Sequence, residues 1–361
     1  MRSIGILGRL PPSYPLPDFL ALPADERLEV YNTVAPKINR TPAILEKDVW
    51  VCWALETLFD VNDHPQMAFK GGTSLSKAYD AISRFSEDID VTIDHRGLDS
   101  TINPFAPGIS RKQRDRDADA LLEGVRTCVR DLVNPHFLYQ LQTAFPNGEW
   151  QLDIVNEGDE LRLAYPRVVE IETEFEAEYI RDFVKIEFGG RNITEPNENH
   201  TIHPYLLGHV TGASLPSADI TVLSGARTFW EKATLAHVEC NRTEPKPDVR
   251  RLSRHWYDLF KLADHNIGRA ALADRALLSD VVKYKKVFYN TAYANYNDCL
   301  DGGFRLIPND AGLTALRDDY AQMISKAMIY DEVPSFSAIV ERLGRLETEI
   351  NAGVTGTDSP V

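Results

Sequence analysis

Apolar residues recur at helical spacing from residue 42 to residue 59, after a beginning that shows no period. Thr41 can cap this segment and Pro42 suits its first helical position, and the spacing predicts a helix of about five turns. Its apolar face comprises Val49, Trp50, Cys52, Trp53, Leu55 and Leu58. The first 40 residues are rich in proline, so we expect an extended arm there with one or two short helical turns.

Shorter apolar runs follow, and their lengths are typical of strands that alternate with helices. The run 67–69 enters a Gly-Gly pair, after which Thr73 or Ser74 can begin a helix that we expect to end at Ala81. Further strands are predicted over 88–93, 150–155, 167–180 and 183–188, and a charged helix over 111–131.

The predicted strand 167–180 has a strict alternation of apolar and acidic positions. Its apolar set includes Val169, Ile171, Phe175, Ala177 and Tyr179, and its acidic set is Glu170, Glu172, Glu174, Glu176 and Glu178. Period-2 alternation predicts a half-exposed antiparallel strand. The acidic face can be a partner surface or a solvated face, and the second interpretation is favoured.

A loop-rich stretch from 189 to 216 separates these strands from a C-terminal part whose pattern is almost wholly helical. The order of elements predicts an α+β protein, in which a mixed sheet with flanking helices precedes a mainly α-helical domain. We expect an arm over 1–40, a core domain over 41–220 and a helical domain over 221–361.

Composition places the chain among globular proteins. Its 361 residues are 43% apolar and 26% charged, which excludes fibrous and disordered classes. No apolar run approaches the roughly 20 residues of a membrane helix and no signal-peptide core develops, so we expect no membrane contact and a cytoplasmic location. The four cysteines are far apart without zinc-finger spacing, which indicates buried free thiols.

Charge is distributed unevenly along the chain. The net charge of −15 means that the molecule as a whole repels polyanions. Residues 227–286, in contrast, carry 13 basic and eight acidic residues, so we expect any RNA partner to bind there. Within this segment, the basic and aromatic run from Lys283 to Tyr296 can contact single-stranded RNA or pack into the core, and packing is favoured.

The chemistry-bearing run begins where the strand at 67–69 meets Gly71 and Gly72. A strand that turns through Gly-Gly into a helix beginning with Thr73 and Ser74 offers unpaired N–H groups and hydroxyls to an anion. Lys77 adds a charge one turn later. This pattern predicts a phosphate cradle, although it is not a Walker A loop.

Two carboxylates follow this cradle at Asp88 and Asp90. On a strand, a spacing of two residues directs both side chains to the same side. Paired carboxylates beside a triphosphate-sized cradle suit one or two Mg²⁺ ions, with Mn²⁺ as an alternative. The competing interpretation is an acidic surface hairpin, and the preceding Gly-Gly motif makes it the weaker one.

The runs GGTSLSKAY and RFSEDIDV resemble motifs I and II of the AbiEii/AbiGii nucleotidyltransferase toxin family, to which the mycobacterial MenT toxins are related. The run FVKIEFGGR at 183–191 resembles a family strand. WEK at 230–232 and RHWYDL at 254–259 resemble its later lysine and aspartate motifs. The resemblance covers about residues 41–351 and implies a DNA polymerase β-like nucleotidyltransferase fold.

The resemblance also implies roles for single residues. Glu187 would be the third metal ligand beside Asp88 and Asp90, with Asp153 as its rival. Lys232 would meet nucleotide phosphates and Asp258 would serve the active site, although an ordinary surface ion pair explains Asp258 equally well. The nucleotide-binding set is completed by Gly71, Gly72, Thr73, Ser74, Lys77, Ser86 and Arg191.

Ser86 shares the carboxylate face of the extended chain, two residues before Asp88. In related toxins a serine at this place is the target of an inhibitory kinase-type antitoxin. An added phosphate would repel nucleotide and compete for Mg²⁺. The alternative is a strand-start hydroxyl that bonds locally.

The function that the resemblance implies is transfer of a nucleotide from an NTP, with Mg²⁺, to the 3′ end of an RNA. That RNA would most plausibly be tRNA. Such an enzyme would be the toxin of a toxin–antitoxin or phage-defence (abortive infection) system with a cognate antitoxin protein. Two alternatives stay open: transfer to a protein hydroxyl or a small molecule, and a non-catalytic module that binds an NTP to control a partner.

Overall fold

Seven strands form one mixed sheet at the centre of the protein. The computed structural model describes residues 16–170, 180–244, 250–326 and 328–355. The strands are β1 (Met67–Lys70), β2 (Ile89–Asp94), β3 (Gln151–Val155), β4 (Glu160–Ala164), β5 (Phe183–Asn192), β6 (Asn197–Ile202) and β7 (Ala218–Leu223). Their order is β3-β4-β5-β2-β1-β7-β6, so β5, β2 and β1 lie side by side.

The pairing within the sheet is antiparallel except at two places, where β2 pairs with β5 and β1 pairs with β7 in parallel. The helices before β5 are α1 (Asp18–Ala21), α2 (Ala24–Val34), α3 (Pro42–Phe59), α4 (Gly71–Lys77), α5 (His95–Leu98), α6 (Arg111–Cys128) and α7 (Asn134–Ala144). Those after β7 are α8 (Gly225–Cys240), α9 (Ser253–Ala263), α10 (Asn266–Ala273), α11 (Arg275–Phe288), α12 (Asp310–Ser325) and α13 (Phe336–Thr355). The predicted α+β class is confirmed.

Helix α3 matches its predicted bounds because its N-terminal signals are local. The Thr41 hydroxyl accepts a hydrogen bond from the Ile44 N–H, and Pro42 occupies the first position. The helix packs against β5 and β7, and the Trp50 ring stacks on Tyr165. It therefore contributes to the core between helices and sheet, which continues as one apolar cluster into the C-terminal helices.

Several of the predicted boundaries of helices and strands are wrong. Helix α4 ends at Lys77 rather than at Ala81 because Asp80 takes a left-handed φ of 47°. The proline-rich arm contains α2, which has 11 residues and is longer than the expected turns. Strand β6 lies within the stretch 189–216 that was predicted as loop-rich, and β7 begins two residues after that stretch, where helices were predicted. These two strands pair with each other, and a pairing between separate segments leaves no local signal.

The acidic alternation at 167–180 does not form the predicted strand where the structure describes it. Residues 167–170 are irregular, and 171–179 lie outside the described residues. The place between β3 and β5 is taken by β4, which the sequence analysis did not predict. The domain boundaries remain a prediction.

The four cysteines are buried and free, as predicted. In the described parts of the chain, no helix is both long and apolar enough to cross a membrane.

Candidate active site

Three neighbouring strands place a lysine and two acids in one row across the sheet. Asp90 on β2 is in register with Lys70 on β1 and with Glu187 on β5. Asp88 immediately precedes β2. Since the register fixes these neighbours, the two parts of the chain that carry Asp90 and Glu187 meet although they are almost 100 residues apart.

This row forms one wall of a cavity of about 410 Å³. Four acidic residues line the cavity, namely Asp88, Asp90, Glu187 and Glu231. Six cationic residues also line it, namely Lys70, Arg84, Lys232, Arg251, Arg254 and Lys285. Three of the acids come from the sheet, whereas most of the cations come from α8, α9, α11 and the segment before α9. The cavity is therefore polarised from an acidic to a basic wall.

Lysine and arginine side chains balance the acidic wall. The Lys185 ammonium lies 3.4 Å from Asp88 and 3.0 Å from Glu187, and Arg181 lies 3.4 Å from Asp88. Among the described residues, no group of three or more His, Cys, Asp or Glu side chains forms a metal site. The predicted trio therefore lines one cavity without converging on one point, and Lys185 bridges two of its members.

Asp90 and Glu187 are close enough to share a proton. Burial, together with the negative charge of Glu187, raises the pKa of Asp90 to about 7. A buried Asp90 that keeps its proton toward neutrality beside a second acid suits a divalent cation, because the cation can replace the proton and offset both charges. This chemistry fits the ion that the sequence predicts.

Asp90→Asn is expected to raise Tm at pH 8 by roughly 2–5 °C in the absence of divalent cations. Folded Asp90 keeps a proton that the unfolded chain loses above pH ~4, so wild-type stability falls as pH rises toward 7. The gain should shrink toward pH 4. Thermal unfolding of both proteins between pH 4 and pH 8 in EDTA measures this gain in Tm. Equal Tm values of wild type and Asp90→Asn at pH 8 would show that the ionised Asp90 side chain does not destabilise the fold.

The Gly-Gly turn lets the start of α4 approach both the acidic and the basic groups. Gly71 has a φ of 85°, and a Cβ there would lie 2.2 Å from Oδ2 of Asp90. A Cβ on Gly72 would lie 2.5 Å from Nη2 of Arg84 and 3.0 Å from the Ser86 hydroxyl. Both glycines line the cavity as predicted, and larger residues would displace these side chains.

The hydroxyls of Thr73 and Ser74 do not line the cavity, which differs from the prediction. The Thr73 hydroxyl lies 2.6 Å from the Asp88 carbonyl and 2.8 Å from the Ser86 hydroxyl. The Ser74 hydroxyl donates to the Gly71 carbonyl. Both side chains are buried, and the Thr73 hydroxyl braces the loop that carries Ser86 and Asp88. Ser86 itself does line the cavity.

Lys77 is also absent from the cavity lining. Its ammonium lies 2.6 Å from Asp48 and 3.9 Å from the centre of the Tyr205 ring, and its side chain is only 3% exposed. The other Asp48 oxygen accepts the Tyr205 N–H. The predicted phosphate contact is thus a buried ion pair between α4 and α3.

Lys77→Met is expected to destabilise the protein by about 3–5 kcal/mol, since it leaves Asp48 as an uncompensated buried charge. The affinity for inorganic tripolyphosphate should stay the same. Urea unfolding and calorimetric titration measure the two effects. A variant of wild-type stability with weakened tripolyphosphate binding would show that Lys77 reaches the ligand after all.

Asp258 lies at the centre of a buried charge cluster and is fully shielded from solvent. Arg84 donates to both its oxygens, from Nε at 2.6 Å and from Nη2 at 2.8 Å, and the Lys232 ammonium lies 2.9 Å away. Burial alone would raise the pKa of Asp258, but Arg84 and Lys232 hold it well below its ordinary value. The surface ion-pair interpretation of Asp258 is therefore wrong.

Lys232 lines the cavity as expected, but its ammonium is bound to Asp258 rather than unattached. Arg191 lies four residues beyond Glu187 on β5 and is not among the lining residues. Asp153 is exposed on β3, at the edge of the sheet, where it bonds to Gln151. Glu187 lies beside Asp90 and lines the cavity, whereas Asp153 is not among the lining residues.

Several lining residues were missed by the sequence analysis. Arg84 and Lys70 lie inside or beside the quoted motifs, so their charge near the Gly-Gly turn was an available signal. His255 also belongs to a quoted run. Lys285 belongs to the basic and aromatic run 283–296, in which Tyr284 and Tyr296 are buried whereas Tyr289 is 47% exposed, so the packing interpretation holds for part of the run.

Comparison with known proteins finds a matching family model and a similar solved structure. The family model described as "Nucleotidyl transferase AbiEii toxin, Type IV TA system" matches residues 53–342. Among solved structures, the nucleotidyltransferase toxin MenT4 from Mycobacterium tuberculosis H37Rv is similar at 18% identity, over 92% of this chain and 99% of that chain, with a TM-score of 0.40. No curated protein matches the chain.

Proposed function

The chain belongs to the AbiEii nucleotidyltransferase toxin family, whose members are the toxins of type IV toxin–antitoxin systems, and from this premise we propose that it transfers a nucleotide from an NTP to the 3′ end of an RNA. In this proposal the acceptor is tRNA and the inhibitor is a cognate antitoxin protein. The observation that carries the proposal is the polarised cavity, with three acids on the sheet wall and cations from the helices opposite.

The acidic and basic walls of the cavity match the two requirements of nucleotidyl transfer, which are binding of a divalent cation and binding of the triphosphate. Asp88, Asp90 and Glu187 would hold Mg²⁺ or Mn²⁺, which supplies charge neutralisation at phosphate oxygens and at an attacking hydroxyl. Gly71 and Gly72 at the start of α4 and the Arg84 side chain line the same cavity. They would bind the triphosphate.

Lys232 would offset the charge that develops as pyrophosphate leaves. Its partner Asp258 is ionised and also binds Arg84. Lys232 on α8 and Arg84 in the loop before β2 are therefore held at fixed positions relative to each other. Preorganised charge of this kind stabilises a transition state without a reorganisation cost. Lys285 and the bases before and on α9 extend the basic wall toward an RNA strand.

The deciding experiment is incubation of the purified protein with Mg²⁺, a cell extract and each of four α-labelled NTPs in turn. We expect one NTP to label RNA, with release of pyrophosphate and loss of label after ribonuclease treatment. Label in protein or in a small molecule, and not in RNA, would identify that molecule as the acceptor. Binding of NTP without pyrophosphate release would identify a regulatory module and contradict transfer.

A further inference from the structure

The catalytic cavity has a small uncharged region that the proposed chemistry does not use. Of the sixteen lining residues in the described parts of the chain, ten are charged. Gly71 lies beside Asp90, and Gly72 lies beside Arg84 and Ser86. Only Thr228, Leu235 and His255 remain. Among the described lining residues, Leu235 is the one large apolar side chain and His255 the one aromatic ring.

Leu235 and His255 occupy equivalent places next to the Lys232–Asp258 pair. Leu235 follows Lys232 by three residues on α8, and His255 precedes Asp258 by three residues on α9. Residues three apart on a helix lie on the same face, about one turn from each other. Since Lys232 and Asp258 are in contact, the uncharged pair lies within about one helical turn of the phosphate-binding cations.

His255 is uncharged even though it is surrounded by charges. Burial and the neighbouring Lys232 ammonium lower the pKa of His255 to about 3. A neutral imidazole has one hydrogen-bond donor and one acceptor. Its Nδ1 is buried and has no hydrogen-bond partner in the part of the chain that the structure describes.

We propose that Leu235 and His255 form the nucleobase site of this cavity, and that His255 determines which NTP is bound. A nucleobase is a planar, uncharged heterocycle, and it needs an apolar surface for its face and hydrogen-bonding groups for its edge. Leu235 covers the face and His255 bonds to the edge. The inference rests on the nucleotidyl transfer proposed above and adds the group that selects its substrate.

The test compares wild type, His255→Ala and His255→Phe by calorimetric titration with the Mg²⁺ salts of ATP, GTP, CTP and UTP, and with inorganic tripolyphosphate. We expect wild type to prefer one NTP. His255→Ala should lower the affinity for that NTP about tenfold, the loss of one good hydrogen bond. It should bind tripolyphosphate as wild type does. His255→Phe should retain part of the affinity and lose the preference, because it keeps a ring but no nitrogen.

His209→Ala, at an exposed position, is the matched control and should keep the wild-type preference. Equal affinity of wild type for all four NTPs, or an unchanged preference in His255→Ala, would overturn the nucleobase site and leave transfer as a separate question. Base-selective binding without transfer to any acceptor would overturn the activity and leave the nucleobase site intact. Thermal unfolding of each variant shows that the comparison is made on folded protein.

Discussion

Asp90→Asn is expected to lower the rate of nucleotide transfer by roughly 10²–10³-fold, the cost of removing one preorganised electrostatic group from an active site. Asn keeps the size of the side chain but cannot carry the charge that would hold a divalent cation. Asp90 is also the acid in register with both Lys70 and Glu187. Transfer of an α-labelled NTP at saturating Mg²⁺ measures the effect.

The same substitution should make the protein more stable at pH 8, as argued above for the cation-free state. Loss of activity with a raised Tm excludes unfolding as its cause. Asp153→Asn is the matched control, since Asp153 is an exposed acid on the edge strand, and it should transfer at the wild-type rate. A transfer rate of Asp90→Asn within about threefold of the wild-type rate would show that Asp90 has no role in the reaction.

Asp258→Asn is expected to cost about 3–5 kcal/mol of folding free energy, because it leaves two buried cations without their shared partner. The carboxylate touches Arg84 and Lys232 and is fully buried. The depressed pKa means that its stabilisation is present above the unfolded pKa near 4 and is lost as pH falls further. Urea unfolding at pH 7 and pH 3 measures both effects.

Transfer should fall together with stability in Asp258→Asn, since Lys232 and Arg84 lose their fixed positions. Lys232→Met separates the two effects, because it leaves Asp258 bound to Arg84. It should reduce transfer at a smaller cost in stability. The double variant should cost less than the sum of the single ones, as expected for residues in contact.

Asp301→Asn is the control for the cluster, because Asp301 is exposed. It should change stability by no more than about 0.5 kcal/mol. A cost below about 1 kcal/mol for Asp258→Asn would mean that the cluster acts like an exposed ion pair.

Local signals determined the parts of the site that lie close together in the chain. Gly71 and Gly72 were recognisable because a strand-to-helix turn needs residues without a Cβ, and the structure shows the contacts that a Cβ would disturb. Asp88 and Asp90 were recognisable because a spacing of two residues directs both toward one side. Both line the same cavity.

The same kind of reasoning placed Lys77, Thr73 and Ser74 on the ligand because they lie near the glycines. Their true partners are far away in the chain or within the loop itself. Asp48 binds Lys77 across 29 positions, and the Asp88 carbonyl accepts from Thr73. A residue's type and spacing do not show which of several neighbours compensates its charge, because that depends on burial.

The sequence by itself determined the α+β class, helix α3, the glycine turn, the paired carboxylates and the family resemblance. Each of these depends on residues within a few positions of one another, where backbone geometry fixes which side chains meet. Only the tertiary structure decided that Glu187 lies beside Asp90, that Asp258 binds Arg84 as well as Lys232, and that His255 enters the same cavity. These depend on sheet register and helix packing, which join residues 26 to 174 positions apart through buried contacts whose partners no local pattern specifies.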